Sequence, residues 1–248
     1  MTNAQFSAIS SFREEFHEYC KKLTADFGEI LRPLQKSAAK NDTPEYPIEN
    51  PIVYNSALDT LDENSQIRLI LIGDNPGKNE QLSKNQKYLV GQSGKIASNF
   101  FAKNSQFYID FQKNVIILNK TPIHTAKTQH LRKLASDSRI AQIIEESQLW
   151  FAQKTAQLHS AFDEAELWLV GYGELKKRGI FAPYRDALKS AERAEDWARV
   201  RVFQHFSMNC FLNDLRRFMK ENENLSILEA AKELGIFHRD EIFGKFGT

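Results

Sequence analysis

A carboxylate and an amide stand side by side at the end of an apolar segment, a pairing of groups suited to chemistry. Residues 69–72, Leu-Ile-Leu-Ile, lead into Asp74 and Asn75 within a Gly-Asp-Asn-Pro-Gly turn. A short run of branched apolar residues predicts a strand that is buried on both faces of a parallel sheet. Open α/β sheets place their active sites at the carboxyl ends of such strands. The alternative is that Asp74 and Asn75 only form the turn.

Three further apolar runs predict strands of the same kind. Each ends in a polar residue or a glycine: 115–118 before Asn119, 167–170 before Gly171, and 200–203 shortly before His205. Segments with helical spacing of apolar residues separate these runs, and such alternation predicts an α/β fold with a mainly parallel sheet. Because the carboxyl ends of parallel strands share one edge, we expect the residues that follow the four strands to converge there.

The order of these motifs resembles that of the uracil-DNA glycosylase superfamily. The resemblance covers residues 50–220, and its motifs are Asn-Pro-Ile-Val-Tyr at 50–54, Gly-Asp-Asn-Pro-Gly at 73–77, Tyr-Leu-Val-Gly-Gln-Ser-Gly at 88–94, Asn119, and His205-Phe206-Ser207. The 73–77 motif has the form of the mismatch-specific and single-strand-selective branches. The 88–94 motif is similar to an element of the iron–sulfur branch. A cluster needs four cysteine ligands, and with only Cys20 and Cys210 this chain is excluded from that branch.

The resemblance implies a three-layer α/β/α fold with a mainly parallel four-stranded sheet. It also implies a monofunctional hydrolase that cleaves the N-glycosidic bond of uracil or a related damaged base in DNA and leaves an abasic site. Asn75 would hold the attacking water and His205 would stabilise the departing base, with Asp74 as the alternative catalytic residue. The substrate-binding residues would be Gly73, Pro76, Gly77, Tyr88, Leu89, Asn119 and Ser207.

Two positions depart from the family pattern. Phe206 stands where the family has proline, and Tyr88 or Leu89 stands where an aromatic ring stacks on the base. In the same loop, Phe206 and Met208 are candidate apolar wedges that would fill the gap left by an extruded base. The altered loop leaves open a relative that binds DNA without cleaving it.

Asn119 is the candidate for base recognition. Its amide can donate to O4 of uracil and accept from N3–H, whereas cytosine presents the reverse pattern. The alternative is an asparagine that caps the turn before Pro122.

The basic residues are concentrated in one part of the chain. The net charge is only +1, but ten Lys and Arg residues against two acids give the segment 78–133 a charge of +8 and leave −7 elsewhere. Phosphate contacts supply most sequence-independent affinity for DNA. The predicted phosphate-contacting lysines are Lys84, Lys87, Lys120 and Lys127. The alternative is a solvated lysine-rich face.

Composition and terminal segments complete the prediction. With no membrane span, signal peptide or metal-ligand spacing, we expect a cytoplasmic monomer (nucleoid-associated in a bacterium) that needs no cofactor and no metal. Residues 1–48 are predicted to form an amphipathic helix that Pro33 ends, followed by a linker. The helix packs on the domain or, alternatively, binds a partner. Residues 49–248 form one domain whose tail, residues 225–246, carries a short helix.

A function of another class remains open. A small-molecule hydrolase or nucleotide-binding protein can share a doubly wound sheet, because fold alone does not fix function. The turn at 73–77 is neither a dinucleotide fingerprint nor a phosphate-binding P-loop, which speaks against that alternative.

Overall fold

A four-stranded parallel sheet forms the centre of residues 1–244, the part of the chain that the computed structural model describes. Its strands are β1 (Leu69–Gly73), β2 (Val115–Asn119), β3 (Glu166–Val170) and β4 (Val200–Phe203). They lie in the order β2-β1-β3-β4, and each neighbouring pair is parallel. The predicted α/β class with a parallel four-stranded sheet is therefore confirmed.

Helices cover both faces of the sheet. Within the described residues they are α1 (Asn3–Ala39), α2 (Gln92–Lys103), α3 (His130–Leu134), α4 (Ser138–Ala161), α5 (Ala182–Ala191), α6 (Ala194–Trp197), α7 (Cys210–Glu221) and α8 (Ile227–Phe243). Ile70 and Ile72 pack towards the layer of α1, α3, α4 and α5. Leu69 and Leu71 pack towards the layer of α2, α7 and α8. This alternation explains why the β1 sequence is apolar throughout, and the three layers agree with the expected architecture.

The strand register brings the polar strand ends together. Gly73 pairs with Asn119 across β1 and β2, so the Gly-Asp-Asn-Pro-Gly turn begins directly beside that asparagine. Val170, the last residue of β3, pairs with Phe203 of β4 two residues before His205. The chain leaves β1 for β2 on one side and reaches β3 on the other, an arrangement that opens a crevice at the carboxyl ends of the strands.

The first helix is longer than predicted, because Pro33 lies inside it rather than at its end. A proline inside a helix costs about 3 kcal/mol, so packing on both sides of it must compensate. Leu31 is buried before the proline, and the buried Gln35 side chain after it donates to the carbonyl oxygens of Pro51 (2.9 Å) and His124 (2.8 Å). Residues 36–39, predicted as linker, therefore belong to α1.

The buried face of α1 belongs to the main core. Ile9, Phe12 and Phe16 share a hydrophobic cluster with sheet residues such as Ile70. The Phe16 ring, fully buried, meets the Phe151 ring edge-on at a centroid distance of 5.0 Å. The described part of α1 therefore contributes to the layer that covers the sheet.

None of the helices in residues 1–244 has the length and apolar character of a membrane span.

The predicted tail helix corresponds to α8, which packs on β4 through Gly235. A Cβ at Gly235 would lie 2.7 Å from the Phe203 ring. Residues 245–248, including Phe246 of the predicted tail, lie outside the described residues.

We expect Phe16→Ala to lower the free energy of unfolding of the whole domain by about 3–5 kcal/mol, the usual cost of removing a buried aromatic ring. Urea denaturation followed by tryptophan fluorescence measures it. Phe237→Ala, at a ring that is 60% exposed, is the matched control and should change stability by less than about 0.5 kcal/mol. Equal stability of the two variants would contradict the placement of α1 in the core.

Candidate functional site

One pocket at the carboxyl edge of the sheet collects most of the predicted site residues. Its volume is about 410 Å³, within the usual range for small-molecule sites. The loop after β1 contributes Asp74, Asn75 and Gly77, and the loop after β4 contributes His205 and Ser207. Asn119 at the end of β2, Lys127 in the loop that follows, and Leu89 complete the lining described here. The pocket thus brings together all three predicted catalytic residues.

Asn75 is held so that its carbonyl oxygen is available. Its Nδ2 donates to Thr125 Oγ1 at 2.8 Å, which fixes the orientation of the amide. Its Oδ1 has no protein partner among the described residues. The backbone is braced at the next residue, since Pro76 O accepts from the backbone N–H of Thr125 at 3.1 Å and contacts His124 Nδ1 at 2.8 Å. An acceptor on a braced loop is suited to holding a water molecule.

His124 and Thr125 belong to this bracing, although neither was among the predicted site residues. His124 is fully buried, and its Nε2 lies 3.0 Å from the Tyr46 hydroxyl. Burial lowers the pKa of His124 to about 4, against smaller opposing effects from the backbone hydrogen bonds. The ring is therefore neutral at physiological pH. Sequence offers little sign of this role, because a histidine shortly after a strand is equally compatible with an exposed loop.

His205 is a neutral hydrogen-bond donor. Its Nδ1 accepts from the backbone N–H of Ser207 at 3.0 Å, so in the neutral ring the proton must sit on Nε2. Burial lowers the pKa of His205, the nearby Asp74 charge opposes this shift, and the Lys120 charge lowers the pKa by a smaller amount. Nε2–H has no partner among residues 1–244, and the residue that carries it, His205, lines the pocket. The Nε2–H group of His205 is therefore available to donate to a molecule that binds in the pocket.

The phosphate-contact role predicted for Lys120 is wrong, because its side chain is completely buried. Its Nζ contacts Asp74 Oδ1 at 2.7 Å, Gly73 O at 3.1 Å and Val170 O at 2.6 Å. These three acceptors use all three N–H donors of an ammonium group. Burial lowers the pKa of Lys120, but the adjacent Asp74 carboxylate opposes that shift. Lys120 is therefore a structural cation beneath the pocket.

Asp74 is tied on both carboxylate oxygens. Oδ1 meets Lys120, and Oδ2 accepts from Thr128 Oγ1 at 3.2 Å. The carboxylate also fills the space beside Gly171, where a Cβ would lie only 2.1 Å from Oδ1 and where φ is +94°. A carboxylate with both oxygens engaged is less available as a base than the open oxygen of Asn75.

The side chain of Asn119 lines the pocket and forms no hydrogen bond within residues 1–244. The residue is 2% exposed, and its buried Nδ2 has no partner in the described part of the chain. The side chain caps nothing there, so the predicted alternative of a turn cap is wrong. Gly73 provides the room for this amide, since a Cβ at Gly73 would lie 2.4 Å from Asn119 Oδ1. A buried amide without a partner is costly, and a ligand that paired with it would remove that cost.

Two aromatic residues do not take their predicted places. Tyr88 is 3% exposed, donates its hydroxyl to Val53 O at 2.6 Å and belongs to the core, so it cannot stack on a base in this pocket. Leu89 lines the pocket instead. Phe206 is fully buried with its ring centroid 4.7 Å from that of Phe211, so it is not a wedge. Both rings are buried in the hydrophobic core, and the local sequence does not reveal that burial.

The remaining predicted residues lie at or outside the rim. Met208 is 86% exposed and has a positive φ of 53°. Lys127 lines the pocket and also contacts Asp42, whereas Lys84 and Lys87 are exposed outside it. Pro76 is buried and does not line the pocket. Lys78, which sequence reasoning did not single out, adds a second exposed cation to the lining.

Glu80 is the main residue that sequence reasoning missed. It lines the pocket, is 9% exposed, and accepts hydrogen bonds from the backbone N–H groups of Gly77 and Leu89. Burial raises its pKa to about 7, although these two hydrogen bonds act in the opposite direction. An isolated acid among lysines predicts a solvated side chain, so the sequence carries no signal for this position. Residues 1–244 contain no group of three or more His, Cys, Asp or Glu side chains placed to hold a metal ion.

We expect Lys120→Met to lower the free energy of unfolding by about 3–5 kcal/mol, because it leaves Asp74 without its buried counter-charge. Thermal and urea denaturation measure the effect. Lys127→Met, at a half-exposed lysine, is the matched control and should cost less than about 1 kcal/mol. A stable Lys120→Met protein whose DNA binding became less salt-dependent would instead restore the phosphate-contact role.

Comparison with known proteins adds no relative to this description. No model of a known protein family matches the chain. A search of curated proteins likewise finds no significant match. The side chains of the pocket, and the strand ends that deliver them, therefore carry the functional inference.

Proposed function

We propose that this protein is a monofunctional DNA glycosylase that hydrolyses the N-glycosidic bond of uracil or a related damaged base and leaves an abasic site. The observation that carries the proposal is the neutral His205, whose Nδ1 is occupied by the Ser207 backbone N–H and whose Nε2–H is free in the pocket. A preorganised donor of this kind is suited to a leaving group that gains negative charge. The free Oδ1 of Asn75 and the unpaired amide of Asn119 line the same pocket.

The proposed reaction assigns one step to each group. As the C1′–N1 bond lengthens, its electron pair moves to the pyrimidine, and His205 Nε2–H donates to the base oxygen that takes up the charge. Such a donor contributes about 3–4 kcal/mol to transition-state stabilisation in comparable sites. Asn75 Oδ1 holds the water whose oxygen bonds to C1′, and that water gives one of its two protons to solvent and keeps the other as the new hydroxyl group. The base leaves as an anion that solvent protonates.

Asp74 has an electrostatic part in this proposal. Both of its oxygens are engaged by Lys120 and Thr128, which favours Asn75 over Asp74 for positioning the water. Its negative charge, partly offset by Lys120, lies at the pocket wall near the positive charge that grows on the sugar. Interactions between charges are stronger in such a partly buried site than in water.

Base recognition is assigned to Asn119. An amide with neither atom bonded to protein can meet O4 and N3–H of uracil together. Cytosine would leave the same amide facing two mismatched groups, and a site built to hydrogen-bond rejects such an analogue by about 10⁴ or more. Its burial beneath the pocket rim agrees with a requirement that the base be extruded before it binds.

DNA is the partner that the rim favours. Lys78 and Lys127 line the pocket with exposed side chains, and the exposed Met208 lies in the loop after His205. Cations at the mouth would contact the phosphates that flank an extruded nucleotide. Met208 is the remaining candidate for the apolar wedge, now that Phe206 is buried.

The central test removes the two catalytic groups. We expect Asn75→Ala and His205→Ala each to slow single-turnover excision of uracil from an oligonucleotide by about two to three orders of magnitude, with little change in DNA affinity. Alkaline cleavage of abasic sites measures the rate. Asn64→Ala and His17→Ala, at exposed residues of the same types, are matched controls.

Three outcomes of this test separate the possible functions. DNA binding without abasic product in the unaltered protein would identify a non-cleaving relative. Tight nucleotide binding without any dependence on DNA would favour a small-molecule enzyme or binding protein. Full activity in both pocket variants would show that the catalytic groups lie elsewhere.

A second test concerns base preference. Asn119→Asp should lose uracil excision and gain some cytosine excision, because a carboxylate accepts from the amino group at C4. Asn119→Ala should lose both rate and discrimination but keep its melting temperature, since the unpaired amide makes no hydrogen bond to lose. Rates on uracil and cytosine oligonucleotides, together with melting temperatures, measure this. A stable Asn119→Ala enzyme with unchanged excision would refute the assignment.

A further inference from the structure

The Glu80 carboxylate connects two walls of the pocket through their backbones. Oε2 accepts the N–H of Gly77 at 2.9 Å, and Oε1 accepts the N–H of Leu89 at 2.8 Å. Gly77 belongs to the loop that carries Asn75, whereas Leu89 belongs to the adjoining wall. The carboxylate is 9% exposed, and no cation in residues 1–244 forms an ion pair with it. The two backbone donors are therefore its principal partners.

Leu89 has a backbone that needs such support. Its φ of +53° lies in the left-handed region, which a leucine adopts only where surrounding contacts hold it. Glu80 holds its N–H, and its carbonyl oxygen is packed against Gly94, where a Cβ would lie 1.5 Å from that oxygen. Without the Glu80 contact, one of these two restraints is gone, and the wall beside the pocket is free to relax.

We propose that Glu80 is a positioning residue that sets the width of the pocket by tying the backbone of Gly77 to that of Leu89. The inference rests on the proposed glycosylase function only for its activity readout, because the tie itself is measurable in the free protein. Glu80 does not contact the reacting atoms in this role, since both of its oxygens face backbone donors.

Protonation of Glu80 weakens the tie. A neutral carboxyl group keeps one carbonyl oxygen as an acceptor, whereas its hydroxyl oxygen carries a donor and is a much weaker acceptor, so one of the two hydrogen bonds is weakened. Burial raises the pKa of Glu80 to about 7. Both bonds are therefore at full strength above that pH, and one is weakened as the pH falls through it. The other titratable or charged groups around the pocket are Asp74, Lys78, Tyr88, His124, Lys127 and His205.

Hydrogen exchange of the two backbone amides tests the tie directly. In the full chain, the NMR protection factors of the Gly77 and Leu89 amides should fall by about tenfold or more, at one or both amides, between about pH 8 and pH 6. A fall of this size corresponds to the loss of a hydrogen bond to a charged group. Glu80→Gln, which keeps one acceptor and the same shape, should show the low protection already at the higher pH. Glu49→Gln is the matched control, because Glu49 also accepts a backbone N–H, that of Ser83, but is exposed and lies outside the pocket.

The pH dependence of excision gives the second readout. The unaltered enzyme should lose activity as the pH falls through about 7, and Glu80→Gln should be slower at high pH. In Glu80→Gln the acid limb should move to the lower pH at which His205, with its lowered pKa, becomes protonated. Glu49→Gln should keep the original profile.

The outcomes separate this inference from the proposed function. Unchanged protection of Gly77 and Leu89 in Glu80→Gln overturns the tie, whatever the activity. Reduced protection together with an unchanged pH profile of excision overturns the positioning role. An unaltered protein that excises no base contradicts the proposed function, while the exchange experiment still decides whether Glu80 holds the two walls together.

Discussion

The site depends on one buried cation that joins the ends of three strands. Lys120 directly follows β2, and its ammonium group binds the last carbonyl of β1 at Gly73, the Asp74 side chain and the last carbonyl of β3 at Val170. A buried charge is tolerated only when it is paired and its donors are satisfied. Here the pairing is complete, so the loops after β1, β2 and β3 are held in fixed relative positions at the edge where the pocket opens.

The same ion pair shapes the electrostatics of the pocket. Burial is the main cause of the lowered pKa of His205, the Lys120 charge adds to it, and the Asp74 charge opposes it. Burial therefore keeps His205 neutral, the form in which Nδ1 accepts from Ser207 and Nε2 donates. A protonated ring would lose the Ser207 backbone contact, because both of its nitrogens would be donors. The ion pair that holds the strand ends thus acts on the pKa of His205 through two opposing charges, and burial decides the protonation state of the ring.

The fold was largely predictable because burial on both faces leaves a direct mark on sequence. The predicted strands 69–72, 115–118, 167–170 and 200–203 differ from the observed ones by at most one residue at an end. The convergence of Asn75, Asn119 and His205 followed from the shared carboxyl edge of parallel strands, and it required no knowledge of side-chain packing. Patterns with a single geometric cause were therefore predicted well.

What escaped prediction depends on contacts between distant segments. Lys120 was expected at the surface because lysine is rarely buried, and only the acceptors from β1 and β3 explain its position. Pro33 was expected to end α1, yet Gln35 beyond it bonds to Pro51 and His124, far along the chain. Glu80 had no sequence signal because its partners are backbone N–H groups, which every residue except proline possesses.

Phe206 stands where the superfamily that the sequence resembles has proline, and its backbone has a conformation that proline also adopts. Proline fixes φ near −65°, and Phe206 has a φ of −66° without that constraint. Its side chain supplies the restraint instead, because the fully buried ring packs on Phe211 at the start of α7. The residues on either side, His205 and Ser207, keep their mutual hydrogen bonds. Packing of the buried ring thus restrains φ at Phe206 as a proline ring would, and the hydrogen bonds that orient His205 form without a proline at position 206.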